Sequence, residues 1–200
     1  MAMKDDVQFN DVLEVLKVYF FAPTYIDRRT ENLFLVNAKQ AIGVVIFYFV
    51  SIKLLKMYMA DRKPYTLKTV SFIHNAFLVL LSTYMCIETF MANKACQEKS
   101  FLGSVWLPQI KVGAPFTPSC QRLVAILHIH YLSKVYEFID TWIMILKKND
   151  RQVTFLHTYH HATTFLCWYA GLVLYPGGSI YIVCALNSFV HIFMYLYYLV

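Results

Sequence analysis

The chain has 200 residues, of which 58% are hydrophobic, and a mean hydropathy of +0.49. Soluble domains use ~45–50% apolar residues, so this composition excludes an ordinary water-soluble domain. The formal net charge of +6 is no sign of nucleic-acid binding, because the cations sit between long apolar runs and form no basic stripe.

In chain order, Met1–Thr30 comes first, with acidic and basic residues mixed and no apolar core ahead of a small-residue cleavage site. No signal peptide is expected there. Runs near the ~20-residue spanning length follow at Ala38–Tyr58, Val70–Met91, Leu123–Leu146, Val153–Leu174 and Ser179–Val200. They predict an all-α polytopic membrane protein with five transmembrane helices, one domain over residues 1–200, and no linker, repeat or low-complexity segment. Lys53, Lys56, Arg62, Lys63 and Lys68 cluster at the end of the first run and beyond it; Lys147, Lys148 and Arg151 follow the third. Positive-inside logic puts both loops in the cytoplasm. The N-terminus, the Ala92–Arg122 loop and the turn at Pro176-Gly177-Gly178 then face the other side, and the chain ends at the cytoplasmic face. Cys96 and Cys120 share the long loop, either as a disulfide or as two free thiols. No CxxC pair and no Asn-x-Ser/Thr acceptor occurs.

Polar residues interrupt three of the runs. The fourth carries His157, His160 and His161, which at ~100° per residue share one helix face. The third carries Lys134, Glu137 and Asp140. Lys134 and Glu137, three apart, can pair, and His130 and Thr141 extend their face, with all but Asp140 within an arc of ~60°. The fifth has Asn187, His191, Met194 and Tyr198 on one stripe, flanked by Tyr195 and Tyr197. Each feature has a bland reading: a structural clasp, a packing histidine, an interfacial aromatic belt. Depth argues otherwise. At ~1.5 Å per residue, the three sets lie roughly 8–14 Å from the cytoplasmic face of a ~30 Å core. Ionisable groups are expensive in lipid, and three unrelated accidents have no reason to share a layer.

Histidines in this pattern suggest metal binding or acyl transfer. Di-iron oxygenase chemistry needs several histidine boxes, whereas this chain has one HxxHH among seven histidines. A single zinc on His157, His161 and His191 is the remaining metal arrangement. For acyl transfer, the motifs Lys134-x-x-Glu137-x-x-Asp140-Thr141, Gln152-x4-His157-x-x-His160-His161 and Asn187-x3-His191-x-x-Met194-Tyr195 resemble, in order and separation, three signatures of the very-long-chain fatty acid elongase family. Arg62-Lys63-Pro64 matches as well, and the resemblance runs from about Arg62 to Val200.

The resemblance implies a seven-helix membrane protein of the endoplasmic reticulum, six of whose helices form a barrel around an acyl chain, with this chain corresponding to the first five. It implies condensation of malonyl-CoA with a long-chain acyl-CoA, releasing CO2 and CoA and giving a 3-oxoacyl-CoA two carbons longer. The family continues beyond the position of Val200 through two more spans and a basic tail, so a fragment or truncation is expected. No cysteine lies in the histidine layer, Cys167 being about 10 Å away along its helix; an imidazole is then the nucleophile. The resemblance assigns that role to His160. His157, His161 and His191 would position it and move protons, Asn187 would bond a developing oxyanion or enolate, Glu137 and Asp140 would orient imidazoles, and Lys134 would balance their charge. Arg62, Lys63, Lys147, Lys148 and Arg151 are candidates for the phosphates of CoA, with Gln152 and Tyr195 also on the substrate side. Gln152 resembles the branch that lengthens polyunsaturated or very long chains. No cofactor and no metal is expected. The partners are the lipid bilayer, the two CoA substrates and the reductases and dehydratase of the elongation cycle, with a homodimer left open and no nucleic acid. The alternatives are a histidine-box metalloenzyme or a non-catalytic membrane scaffold or lipid-binding relative, which has no need to retain the whole motif set.

Overall fold

The computed structural model describes residues 30–96, 118–174, 176 and 180–199. Among them the regular structure is helical: α1 (Ala38–Met59), α2 (Lys68–Cys96), α3 (Pro118–Tyr136), α4 (Phe138–Leu146), α5 (Phe155–Leu174) and α6 (Ile180–Leu199). The charged N-terminal segment, most of the expected Ala92–Arg122 loop and Gly177-Gly178 lie outside the described residues.

The five apolar runs become helices, with one departure. The third divides at Glu137 into α3 and α4. The Glu137 N–H still bonds the Ser133 carbonyl at 2.8 Å, but the Asp140 N–H bonds Glu137 O at 3.1 Å. That is an i→i−3 bond, so the chain tightens for one turn toward 3.0 residues per turn.

α1, α2 and α6, with 22, 29 and 20 residues, are long and apolar enough to cross a bilayer. α5 is equally long but carries His157, His160 and His161 and falls short of that apolar standard. The pattern of exposure suits lipid. α1 exposes Ile46, Phe47, Val50, Leu54 and Met57, and α6 exposes Val183, Leu186, Phe189, Val190 and Phe193. The buried face of α6 instead holds Tyr181, Cys184, Ala185, Ser188, His191 and Tyr195 at helical spacing. An apolar exterior around a polar seam reverses the usual arrangement in water. This all-helical fold is that of a polytopic membrane protein.

α2 packs most extensively on α6 and next on α3; α3 also packs on α5, and α1 lies against α4 and α5. The consecutive helices α5 and α6 are therefore separated by α2 and α3. Aromatic side chains fill the seam between α1, α3, α4 and α5: Tyr131 stacks on Phe165 at 5.0 Å and Tyr48 on Phe138 at 4.0 Å. α1 is fixed to α4 by Tyr48 OH···Thr141 Oγ1 at 2.8 Å, by Trp142 Nε1–H to Ser51 Oγ at 2.9 Å and by the edge contact of Phe47 with Trp142.

Both ends of the bundle are tied. At one end the two basic loops meet, as their common charge leads one to expect. Tyr65 N–H bonds Leu146 O at 2.9 Å and Lys148 Nζ bonds Ala60 O at 3.0 Å. Lys148 takes φ 53°; its N–H bonds Ile145 O and that of Asn149 bonds Met144 O, a Schellman closure of α4. At the other end Arg122 makes a two-pronged ion pair with Glu88. Cys96 and Cys120 form a disulfide there, which decides between the two alternatives left by the sequence.

Candidate active site

The polar residues gather around the α3–α4 junction. Lys134 and Glu137 are 2% and 3% exposed, and Lys134 Nζ donates to Glu137 Oε1 at 2.8 Å. Their i,i+3 spacing brings them together on one turn. Lys134 Nζ also donates to Asn187 Oδ1 at 2.8 Å. Ser133 Oγ and His191 Nδ1 each approach Glu137 Oε1 at 3.4 Å. Asn187 and His191, four apart on α6, thus reach one ion pair on α3. His130, one turn back, sets Nδ1 3.3 Å from Ser188 Oγ and its ring 4.1 Å from that of Trp168.

The tightened turn redirects the neighbouring residues. An unbroken helix leaves Asp140 off the shared arc and Thr141 on it, as the sequence spacing suggests. With one turn near 3.0 residues, Asp140 comes into line with Glu137 and Thr141 swings away. Asp140 accordingly faces α2 and α6. Its Oδ1 is 2.7 Å from His74 Nε2, and its Oδ2 accepts from Tyr195 OH at 2.8 Å. The imidazole it orients is therefore His74, and no histidine of the HxxHH box. His74 lies alone on another span and belongs to no histidine box, so the motifs do not assign it a role; the signal that could have found it is a histidine within an apolar helix. Tyr195, expected on the substrate side, has its hydroxyl committed to Asp140. A cavity of about 210 Å³ opens beside this group, lined among others by Ser71, His74, Asp140, Lys147 and Gln152.

Thr141 faces α1 and α5. Its Oγ1 lies 2.9 Å from His157 Nε2 and 2.8 Å from Tyr48 OH. Tyr48, fully buried on α1, is a second residue that nothing in the sequence singles out, since α1 otherwise reads as plain apolar helix. The rings of His157 and His161 meet at 4.5 Å and those of His160 and His161 at 5.8 Å. His161 is buried against Phe138 and Tyr48, His157 is half-buried and His160 is exposed. The box therefore stands on one helix as expected, but its members differ in environment. His191 approaches Glu137 while His157 bonds Thr141, and among the described residues no three His, Cys, Asp or Glu side chains converge in the manner of a metal ligand set.

The basic residues are not all alike. Lys147 lines the cavity, whereas Lys148 is tied to Ala60 O and Arg62 lies over the Tyr58 ring at 4.0 Å. Lys63 and Arg151 are exposed. Gln152 lines the cavity and its Oε1 accepts from Asn149 Nδ2 at 2.7 Å.

Fold and site together define a helical membrane protein with a buried, charged, histidine-rich seam. Residues 33–200 match the ELO: GNS1/SUR4 family, and the chain belongs to that family. It is similar to the "Fatty acid elongase 6" of Leishmania major, 36% identical over 168 residues, covering 84% of this chain and 42% of the relative. It is also similar to the human "Very long chain fatty acid elongase 4", 31% identical over 196 residues, covering 94% of this chain and 57% of the relative. The mouse "Very long chain fatty acid elongase 1" is 33% identical over 192 residues, covering 92% of this chain and 64% of the relative. The chain thus spans about half the length of these relatives.

Proposed function

We propose that the protein acts in fatty acid elongation as a very-long-chain 3-oxoacyl-CoA synthase, condensing malonyl-CoA with a long-chain acyl-CoA. The observation that carries this reading is the assembly around the α3–α4 junction, in a chain of the ELO family, of signature residues distant in sequence: Lys134, Glu137, Asn187 and His191 in one bonded group, with the HxxHH helix joined to the next turn through Thr141.

His160 is the proposed nucleophile. Its exposed ring meets His161 only edge-on, whereas His157 has Nε2 engaged by Thr141 and His161 is packed among aromatic rings. A free imidazole lone pair attacks the acyl thioester carbonyl, the C–S bond breaks, and CoA leaves as the thiol after taking the proton lost from the ring. Malonyl-CoA then loses CO2, and the resulting enolate carbon attacks the acyl-imidazole. That step forms the new C–C bond, breaks the acyl C–N bond and returns the imidazole, which takes up one proton from water to replace the one that left with CoA. The Glu137–Lys134–Asn187–His191 group supplies a hydrogen-bonded charge reservoir for the enolate. The lipid-embedded site excludes water that would hydrolyse the acyl group. No metal enters the scheme.

We further propose five membrane crossings in the endoplasmic reticulum, with the joined basic loops at the cytoplasmic face. Lys63, Lys147 and Arg151 receive the phosphates of CoA, aided by Arg62 and Lys148. Gln152 beside the cavity favours polyunsaturated or very long acyl chains. Reductases and a dehydratase act on the product.

Incubating the complete protein with acyl-CoA alone tests the central step. One acyl mass, labile to hydroxylamine, is expected on a peptide containing Thr158–Ala162, with release of CoA before malonyl-CoA is added. His160→Ala abolishes the adduct, His191→Ala slows its formation, and strong chelators leave condensation intact. A ternary-complex kinetic pattern with no acylated histidine would reject the nucleophile, and the absence of any malonyl-CoA-dependent two-carbon extension would reject the elongase reading.

A further inference from the structure

The hydrogen bonds that reach the histidine box from α1 have a direction, which follows from counting protons. Tyr48 and Thr141 are both fully buried. Tyr48 OH lies 2.8 Å from Thr141 Oγ1, which lies 2.9 Å from His157 Nε2. Each hydroxyl has one proton to give, and a neutral imidazole has one nitrogen that donates and one that accepts. If Tyr48 donates to Thr141 and Thr141 donates to Nε2, every proton in the relay is used. If Nε2 carries a proton and donates to Thr141, then Thr141 must donate to the Tyr48 oxygen, and the phenolic proton is left without an acceptor. If Thr141 accepts from both sides, its own proton is stranded instead. A buried donor without a partner disfavours such a state by a factor of about ten or more.

We propose that Thr141 is a positioning residue that holds His157 as the neutral tautomer with its proton on Nδ1, with Tyr48 donating to the Thr141 oxygen in turn. The tyrosine is well placed for this. Its ring is fixed by stacking on Phe138 at 4.0 Å, and Phe138 adjoins His161 in turn. His157 then offers Nδ1–H as a donor and has no free lone pair, because Nε2 is occupied. Its part in the proposed condensation is to hold or polarise a neighbouring oxygen or imidazole, while proton removal falls to another group. That catalytic meaning rests on the elongase reading; the tautomer itself does not.

The test is nitrogen NMR of the chain, labelled with ring-¹⁵N histidine and reconstituted in lipid nanodiscs, with the His157 signals assigned by their loss in His157→Gln. The expected wild-type signature is a protonated Nδ1 and an unprotonated Nε2. Tyr48→Phe keeps the stacked ring and deletes the proton. Thr141 still has Nε2 as the acceptor for its own proton, so the Nδ1–H form should persist. Thr141→Val deletes that proton, and the Nε2–H form should rise from under about a tenth of the population to roughly half, whereas Thr141→Ser, which keeps the hydroxyl, should keep the wild-type pattern. The serine and valine pair reads the relay independently should Tyr48→Phe fail to fold. A wild-type Nε2–H signal, a tautomer that ignores Thr141→Val, or one released by Tyr48→Phe overturns the inference. In the complete protein, Thr141→Val should lower kcat with little change in KM, and a moved tautomer with unchanged kcat would reject the positioning role. No condensation by the wild type would refute the elongase reading while leaving the NMR result standing.

Discussion

Replacing Glu137 by Leu leaves the Lys134 ammonium 2% exposed with Asn187 Oδ1 as its remaining neutral acceptor. Removing one partner of a buried pair costs about 3–5 kcal/mol, and the upper part of that range is expected here. Lys134→Met is milder. Glu137 keeps Ser133 Oγ and His191 Nδ1, each at 3.4 Å, so a loss of about 3 kcal/mol is expected. The double variant Lys134→Met, Glu137→Leu leaves no buried charge and replaces the pair by apolar volume, which is often close to neutral. Its total loss should fall below that of Glu137→Leu alone, a coupling of several kcal/mol. Denaturant titration in mixed micelles checks this, with fluorescence of Trp142 and Trp168, both packed within the helical bundle, reporting unfolding. Strictly additive losses in the cycle would refute the pairing energetics. Elongation should not return in the double variant, because the charges also hold Asn187 and His191.

Two further predictions concern the ends of the bundle. In sealed microsomes, with the free thiols Cys86, Cys167 and Cys184 replaced, a cysteine at Asn149 should react with a membrane-impermeant maleimide before the membrane is opened. The Tyr65–Leu146 and Lys148–Ala60 bonds place the α1–α2 loop at that same end, so labelling only after permeabilisation would reverse the orientation of both loops. Replacing Cys96 and Cys120 by Ser removes a link across 24 positions and should lower stability by about 3 kcal/mol through the freed chain entropy. Unchanged stability under oxidising conditions would deny the bond a structural role.

Much of this architecture was readable in the sequence because local rules write it there. A run of about 20 apolar residues becomes a helix in lipid, since the backbone must satisfy its own hydrogen bonds; all five runs are helical, the third as two helices. The Lys134–Glu137 contact was legible because its spacing lies within one helical turn. The meeting of the basic loops was legible in their charge. The tightened turn at Glu137 was not: no proline or glycine marks it, and the i→i−3 bond forms where a buried carboxylate is held by Ser133, Lys134 and His191 at once.

By itself, then, the sequence determined where the helices lie, which ends share a side and which residue types meet at one depth. Only the tertiary structure decided the partners: Asp140 with His74 and Tyr195, Thr141 with His157 and Tyr48, and His160 as the exposed member of the box. In a soluble helix the polar face announces its surroundings, but here apolar residues cover the outward faces and recur in the seam. Periodicity cannot say which neighbour a buried polar group meets, because that depends on the order in which α6, α2, α3 and α5 pack and on one turn being wound tighter than the rest.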